Sequence, residues 1–184
     1  MKTPLQMDEV FPEFKLISND ALRLGVEAVW QELWAASAFE SPTDLPTSPE
    51  IPYPHVTHNR SVLAIALAIA DAFEKFHGVT VDRDILISAA LLQDVSKLVE
   101  YEPAQLPATQ YSELGRTYPH AFMAAHVALK HGLPDAVCHI ILNHTPQSAA
   151  FPASLEGKIL YYADQLDVLA IYRDRWEKRL FITK

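Results

Sequence analysis

Cysteine and glycine are scarce in this chain. Only one of the 184 residues is a cysteine, Cys138, which excludes an intramolecular disulfide and is typical of a reduced, cytoplasmic setting. Only five residues are glycine, and the apolar residues fall in long runs rather than in strict alternation, so helices should dominate over strands. Apolar residues make up 49% of the chain, which is enough to bury a real core. We therefore predict an all-α protein with a single domain.

The chain also lacks a positive net charge and a membrane-spanning run. Its formal net charge of −8 works against general attraction to nucleic acid or anionic membranes, although the C-terminal YRDRWEKRLFITK is locally basic. No apolar run is long enough to cross a bilayer or is followed by a small-residue cleavage site. A glycine-rich phosphate loop and a nucleotide fingerprint are also missing. We expect a small-molecule substrate, with neither nucleic acid nor membrane as partner.

Prolines divide the chain near residue 54. Because proline lacks an amide donor and biases the preceding residue to extended geometry, no helix should cross the segment that holds Pro42, Pro46, Pro49, Pro52 and Pro54. In residues 1–54, we predict a helix over 18–39 and a proline-rich connection, both packed on a helical domain of residues 55–184. Trp30, Trp34 and the proline-rich stretch are candidates for the apolar surface of a homo-oligomer.

Glycine and proline also mark the ends of the later helices. Gly78 and Gly132 suit the residue that follows a helix, and Pro119 and Pro134 suit a first helical turn. Asp82 or Asp84 can cap the helix between them, and residues 102–118 should form a loop. The predicted helices are 58–78, from 82 or 84 to about 102, 119–131, 134–144, and from about 155 into the basic C-terminus.

Polar side chains of metal-ligand type interrupt these apolar helices. AALLQDVSK, residues 89–97, carries Gln93, Asp94 and Lys97, although a buried polar group without a partner costs roughly 1–3 kcal/mol. Other imidazoles and carboxylates lie on the neighbouring predicted helices: His58, His120, His144 and Asp164. Since helix bundles build ligand sites from facing helices, these groups could converge on a metal ion.

The order of these residues resembles the HD-domain superfamily: a His, a His-Asp pair in an apolar helix, one or two further His, and a late Asp. The matching segments are HNRSVLAIA, AALLQDVSK, PHAFMAAHVALKHGLPDAVCHIILNHTP and ILYYADQLD, within residues 55–170. The resemblance implies an all-α helical bundle with a metal site between helices. It also implies a metal-dependent hydrolase, most often of phosphate esters, although some relatives are di-iron oxygenases. The His of the name-giving pair is replaced here by Gln93.

The resemblance further implies two metal sites that share one carboxylate. The first site would consist of His58, Asp94 and Asp164, with Gln93 as a weak fourth ligand. The second would consist of Asp94, His120 and His144, with Asp94 bridging. Imidazole-rich ligation suits Fe, Mn, Co, Ni or Zn, so we expect one or two divalent transition metal ions. Because an amide oxygen is a poorer ligand than imidazole, the site that contains Gln93 should be the weaker one.

Neighbouring residues compete for some of these places. His126 is the alternative to His120, His139 to His144, and Asp167 to Asp164. The family order favours His120, and the apolar LYYAD favours Asp164, with Asp167 held behind the ligands. The other histidines are expected at the surface or in turns: His55, His77 and His131.

Two cations lie close to the ligands in sequence. Lys97 shares nearly the same helical face as Asp94, so its ammonium could neutralise a phosphoryl group or orient a water, and simple pairing with Asp94 or Glu100 is the alternative. Arg60 could reach an anionic substrate, and a surface salt bridge is an equal alternative. We predict Asp94 and Lys97 as catalytic residues, and Lys97 and Arg60 as substrate-binding residues.

Three functions are consistent with these residues. The one we favour is a metal-dependent hydrolase, in which a metal-activated water attacks a phosphate ester or another small anionic substrate. The first alternative is a di-iron oxygenase of a small polar substrate. The second is a weakened relative that binds a metal or metabolite, with Gln93 marking the lost chemistry.

Overall fold

The computed structural model describes residues 2–49, 51–105 and 108–171. Most of them are helical: α1 (Met7–Val10), α2 (Asp20–Ala36), α3 (His55–His77), α4 (Arg83–Leu92), α5 (Lys97–Glu100), α6 (Glu113–Thr117), α7 (His120–Lys130), α8 (Asp135–Leu142) and α9 (Leu155–Ile171). Short 3₁₀ helices cover Pro12–Leu16 and Pro42–Asp44. The predicted all-α fold is confirmed. The basic C-terminal segment, into which we predicted the last helix to continue, lies outside the described residues.

The helix ends follow the capping signals in the sequence. Gly78 ends α3 with a φ of 64°, a left-handed conformation that glycine adopts without strain. Asp82 caps α4 by accepting a hydrogen bond from the backbone N–H of Ile85. Asp84, the other candidate cap, instead accepts hydrogen bonds from the hydroxyl and backbone N–H of Ser18. This carboxylate ties the start of α4 to the segment that precedes α2.

Two antiparallel hairpins lie in segments where we predicted no regular structure. In the proline-rich segment, β1 (Pro46–Ser48) pairs with β2 (Ile51–Pro54), and no α-helix crosses it, as predicted. The predicted loop over 102–118 is wrong. It holds β3 (Tyr101–Pro103), β4 (Thr109–Tyr111) and α6, and the rings of Tyr101 and Tyr111 pack edge to face at 5.2 Å. Strands of three residues are too short to show a period in the sequence.

The helix predicted from residue 82 or 84 to 102 is interrupted. α4 ends at Leu92, residues 93–96 form a turn, and α5 covers only Lys97–Glu100. Asp94 therefore lies in a turn between two helices and not within one helix. α3 also begins three residues earlier than predicted, at His55, because Pro54 takes the N-cap position.

One hydrophobic core joins the N-terminal residues to the later helices. Every residue of α4 from Leu86 to Leu92 is buried, and the helix packs against α2, α3, α8 and α9. Trp30 and Trp34 are buried in this core, so the prediction that they form an exposed oligomer surface is wrong. Their indole N–H groups donate to the backbone oxygens of Leu91 and Thr3. Within the described residues, no helix combines the length and apolarity that a membrane span needs.

Candidate metal centre

The structure brings the five predicted ligands together around the carboxylate of Asp94. Each ligand comes from a different part of the fold, because α3, the turn 93–96, the start of α7, the turn after α8 and α9 all meet there. In chain order they are His58, Asp94, His120, His144 and Asp164.

The two oxygens of Asp94 face different partners. Oδ2 lies 3.3 Å from Nε2 of His58 and 2.7 Å from Nζ of Lys97. Oδ1 lies 3.6 Å from Nε2 of His120 and 3.5 Å from Nε2 of His144. One carboxylate thus joins two groups of potential ligands, an arrangement that could hold two cations with Asp94 between them.

The group on the Oδ2 side is rich in carboxylates. Nε2 of His58 lies 3.1 Å from Oδ1 of Asp164, and its Nδ1 lies 2.7 Å from Oδ2 of Asp167. Asp94, Asp164 and Asp167 are all buried. Three buried carboxylates around one imidazole create a strongly negative environment, which suits a cation. Asp167 occupies the place behind His58, where it orients the ring.

The group on the Oδ1 side has the donor set of an open metal site. One ligand atom each from Asp94, His120 and His144 can be chosen within 4.8 Å of one another. Nδ1 of His144 donates to the carbonyl oxygen of Ile141 at 2.7 Å, so Nε2 is the ring nitrogen that faces Asp94 and could bind a metal. Three protein ligands leave coordination positions open for water or substrate, as in catalytic zinc sites.

The charges of the site are strongly coupled. Burial lowers the pKa of His58, but Asp164, Asp167 and Asp94 outweigh burial and raise it well above its ordinary value. Burial would raise the pKa of Asp94, but Lys97, together with His144 and His58, holds it well below its usual range. Burial lowers the pKa of Lys97, and the adjacent carboxylate of Asp94 more than reverses this effect. Asp94 and Lys97 are therefore a charged pair.

His120 differs from the other ligands in exposure. Its side chain is 25% exposed, whereas those of His58, Asp94 and His144 are at most 3% exposed. Despite this exposure, partial burial lowers the pKa of His120 to about 4, so the ring is neutral at pH 7 and able to bind a metal. The site opens toward solvent on this side.

Gln93 is fully buried, and neither atom of its side-chain amide has a hydrogen-bond partner among the described residues. Since an unsatisfied buried amide is costly, a cation at its oxygen would offset part of this cost, while its nitrogen would still need an acceptor. This observation and the three-ligand group around Asp94 both fit a bound metal ion.

Of the competing residues, Asp167 lies behind His58, whereas the two competing histidines lie away from Asp94. His126 is exposed and stacks on Phe122 with ring centroids 6.0 Å apart. His139 accepts a hydrogen bond at Nε2 from the backbone of Ala153.

Arg60 forms a two-pronged ion pair with Glu13 at 2.8–3.0 Å, the surface salt bridge that the sequence also allowed. Its contact with substrate stays a prediction.

His55 is the residue that sequence reasoning missed. It was expected at the surface or in a turn, but it is completely buried in the first turn of α3. Its Nε2 lies 3.0 Å from the backbone oxygen of Asp94. Burial lowers the pKa of His55 to about 3, so the ring is neutral. Two signals pointed to it: Pro54 starts the helix early, and His55 is three residues before His58, on the same face.

Comparison with known proteins decides the family. The family model of the HD domain matches residues 56–169. The chain belongs to the HD domain family. This range contains the five predicted ligands, and the resemblance inferred from the sequence is confirmed. Among solved structures, none gives a significant match.

A curated relative has a named activity. The chain is 33% identical over 113 residues to dihydroneopterin 2′,3′-cyclic phosphate phosphodiesterase of Methanocaldococcus jannaschii. The aligned region covers 61% of this HD protein, and this protein spans less than half of the relative, 45%. The prediction of a hydrolase of the HD family agrees with both comparisons, and neither favours an oxygenase.

Proposed function

We propose that this HD protein is a metal-dependent phosphohydrolase whose substrate is a small phosphodiester. The observation that carries the proposal is the carboxylate of Asp94, which has imidazoles at Oδ1 and an imidazole and an ammonium at Oδ2. Such a centre combines cation ligands with a positive side chain for an anionic substrate. The phosphodiesterase relative supports the choice of a phosphodiester over other anions.

The metal would be held by His58, Asp94, His120, His144 and Asp164. We propose Fe, Mn, Co, Ni or Zn, because imidazole nitrogen suits these ions better than Mg. When bound, such an ion acts as a Lewis acid and lowers the pKa of a coordinated water toward neutrality. Of the two groups around Asp94, the Oδ1 group should bind more firmly, because the Oδ2 group has only an amide at position 93 and already holds the ammonium of Lys97.

Lys97 would bind and stabilise the phosphoryl group. Its ammonium has three N–H donors, and among the described residues only Asp94 is seen to accept one of them. The remaining donors can bind phosphoryl oxygens, whose negative charge increases as water adds to phosphorus. One P–O ester bond then breaks, and the leaving oxygen takes up a proton. Asp94 keeps the ammonium charged and in place throughout.

Access to the site should come from the side of His120, the most exposed ligand. Arg60, already paired with Glu13, is proposed as a peripheral substrate contact at most. A cytoplasmic location, a homo-oligomeric state and a lack of nucleic-acid binding stay predictions from the sequence.

The substrate class can be tested with a panel of phosphate esters. Protein loaded with Mn²⁺, Fe²⁺, Co²⁺, Ni²⁺ or Zn²⁺ is incubated with dihydroneopterin 2′,3′-cyclic phosphate, a ribonucleoside 2′,3′-cyclic phosphate and a phosphomonoester, and products are followed by ³¹P NMR. We expect a cyclic diester to open to a monoester. The absence of hydrolysis with every fully loaded metal form would contradict the proposal. Iron-dependent oxygen uptake without hydrolysis would support an oxygenase instead.

A further inference from the structure

We propose that His55 is a positioning residue that fixes the peptide of Asp94 and thereby aims its carboxylate at both groups of ligands. The inference rests on the proposed role of Asp94 as the shared metal ligand. His55 acts through the backbone of Asp94 and contacts neither metal nor substrate.

The need for such a residue arises from the end of α4. Asp94 follows the helix by two residues, in the turn 93–96, where carbonyl groups no longer all find partners within the helix. Two of these carbonyls accept hydrogen bonds from rings of other elements. Nε1 of Trp30 in α2 donates to the oxygen of Leu91, and Nε2 of His55 donates to the oxygen of Asp94, both at 3.0 Å. The oxygen of Asp94 also accepts a hydrogen bond from the backbone N–H of Lys97 at 3.0 Å, so His55 adds the contact that ties this turn to α3.

Both donors are rigid and shielded from water. Trp30 and His55 have no exposed surface, so water cannot replace either bond. The ring centroids of Trp30 and His55 lie 6.1 Å apart, and the ring centroid of Phe11 lies 4.9 Å from that of Trp30. Residues from the N-terminal part thus support the turn that holds Asp94.

The hydrogen position on His55 follows from its partner. A carbonyl oxygen only accepts, so Nε2 must carry the hydrogen and Nδ1 must be bare in the neutral ring. Nδ1 is buried and has no partner among the described residues. Among the described residues, the hydrogen bond to Asp94 is therefore the one polar contact seen for the imidazole of His55.

The position of His55 on α3 links the two sides of the site. His55 is one turn before His58, so one rigid helix supplies both a ligand and the group that holds the shared carboxylate. Loss of the donor would leave the oxygen of Asp94 with only the local hydrogen bond from the backbone N–H of Lys97, so its peptide would be held less firmly while every proposed ligand stays in the chain. Because Asp94 serves both groups, metal affinity should fall at both.

The experiment compares His55→Leu with His55→Gln in the full-length protein. Leu removes the donor but keeps an apolar side chain in the core. Gln restores an N–H donor four bonds from Cα, the same reach as Nε2 of histidine. Val62→Ala, at another fully buried position of α3, serves as a control for general loss of packing. Co²⁺ affinity is measured by titration against a competing chelator, and the Co²⁺ absorption spectrum reports ligand geometry independently of substrate.

We expect His55→Leu to weaken Co²⁺ binding by about 10- to 100-fold, the usual effect of removing a residue that orients a ligand, and to change the spectrum. His55→Gln should recover most of the affinity, and Val62→Ala should lower the melting temperature while it leaves Co²⁺ affinity within about twofold. If His55→Leu does not fold, Trp30→Phe, which loses only the indole donor of the same turn, should show the same defect to a smaller degree.

Equal Co²⁺ affinity in His55→Leu and wild type would overturn the proposal. So would an equal loss in His55→Leu and His55→Gln, or, in the reserve experiment, wild-type affinity in Trp30→Phe. These readouts need no turnover, so failure of the phosphodiester assay would leave the test of His55 intact.

Discussion

Nζ of Lys97 donates a 2.7 Å hydrogen bond to Oδ2 of Asp94, the same oxygen that faces His58. The bond is buried and joins two charged groups, so it is stronger than an exposed pair would be. The ammonium is thereby held at the edge of the candidate metal centre, and its other two N–H groups have no hydrogen-bond acceptor seen among the described residues.

This placement predicts that Lys97→Met will lower kcat far more than metal affinity. A donor that stabilises charge developing in the transition state typically contributes about 10²- to 10³-fold in kcat. Metal content, measured by elemental analysis, should remain close to wild type. A parallel loss of metal and kcat would show that Lys97 serves only to support Asp94.

The shared carboxylate predicts different outcomes for Asp94 and Asp164. Asp94→Asn removes charge from both groups of ligands, so the protein should retain little metal after dialysis. Asp164→Asn affects only the group around His58, so metal bound by Asp94, His120 and His144 should remain. Full metal occupancy in Asp94→Asn would show that this carboxylate does not bridge.

Replacing Gln93 with histidine should increase metal binding and hydrolysis. Gln93→His replaces a buried amide that has no partner among the described residues with an imidazole of equal reach. Metal stoichiometry should rise toward two ions per chain, and hydrolysis should rise with it. Calorimetric titration with Mn²⁺ measures the number of sites. An unchanged number, with the wild-type site around His58 already full, would refute this account of Gln93.

Titration of the buried Glu100 should make the stability of the protein depend on pH. Burial raises the pKa of Glu100 from 4.5 to about 7, despite the opposing charge of Lys97. The folded state therefore favours the protonated carboxyl. The stabilisation that comes from the protonated carboxyl of Glu100 is fully present below pH 4.5 and is lost as the pH rises through 7. The loss amounts to about 3 kcal/mol in the free energy of unfolding.

Glu100→Gln should remove this dependence, because the amide does not titrate. Urea unfolding of both proteins at pH 5 and pH 8, with chelator present throughout, measures the difference. From pH 5 to pH 8, the free energy of unfolding of the wild type should fall by about 2–3 kcal/mol more than that of the variant. Parallel pH profiles of the two proteins would contradict the buried, protonated state of Glu100.

The side chains that meet around Asp94 could be selected from the sequence because they are polar residues within or next to apolar helices; their role as metal ligands stays a prediction. Asp164 could be chosen over Asp167 from its apolar approach, and the structure places Asp164 beside Nε2 of His58 and Asp167 behind the ring. The family order brought in His120 and His144, which lie far apart in the chain.

The turn at residues 93–96 could not be predicted, because no glycine or proline marks it and apolar residues resume at Val95, Leu98 and Val99. At this turn Trp30 and His55 donate hydrogen bonds to the backbone oxygens of Leu91 and Asp94. Such contacts between distant residues leave no local signal. The same reason explains why Trp30 was expected at the surface.

The most direct test of the central claim is metal-dependent hydrolysis of a 2′,3′-cyclic phosphodiester by wild type and Asp94→Asn. Both proteins are stripped with chelator, assayed, and assayed again after Mn²⁺ is added back, with folding checked by circular dichroism. We predict that stripped wild type is inactive, that Mn²⁺ restores its activity, and that folded Asp94→Asn stays inactive at the same Mn²⁺ concentration. Equal hydrolysis by stripped and reloaded wild type, or restored activity in Asp94→Asn, would contradict a metal centre built around Asp94.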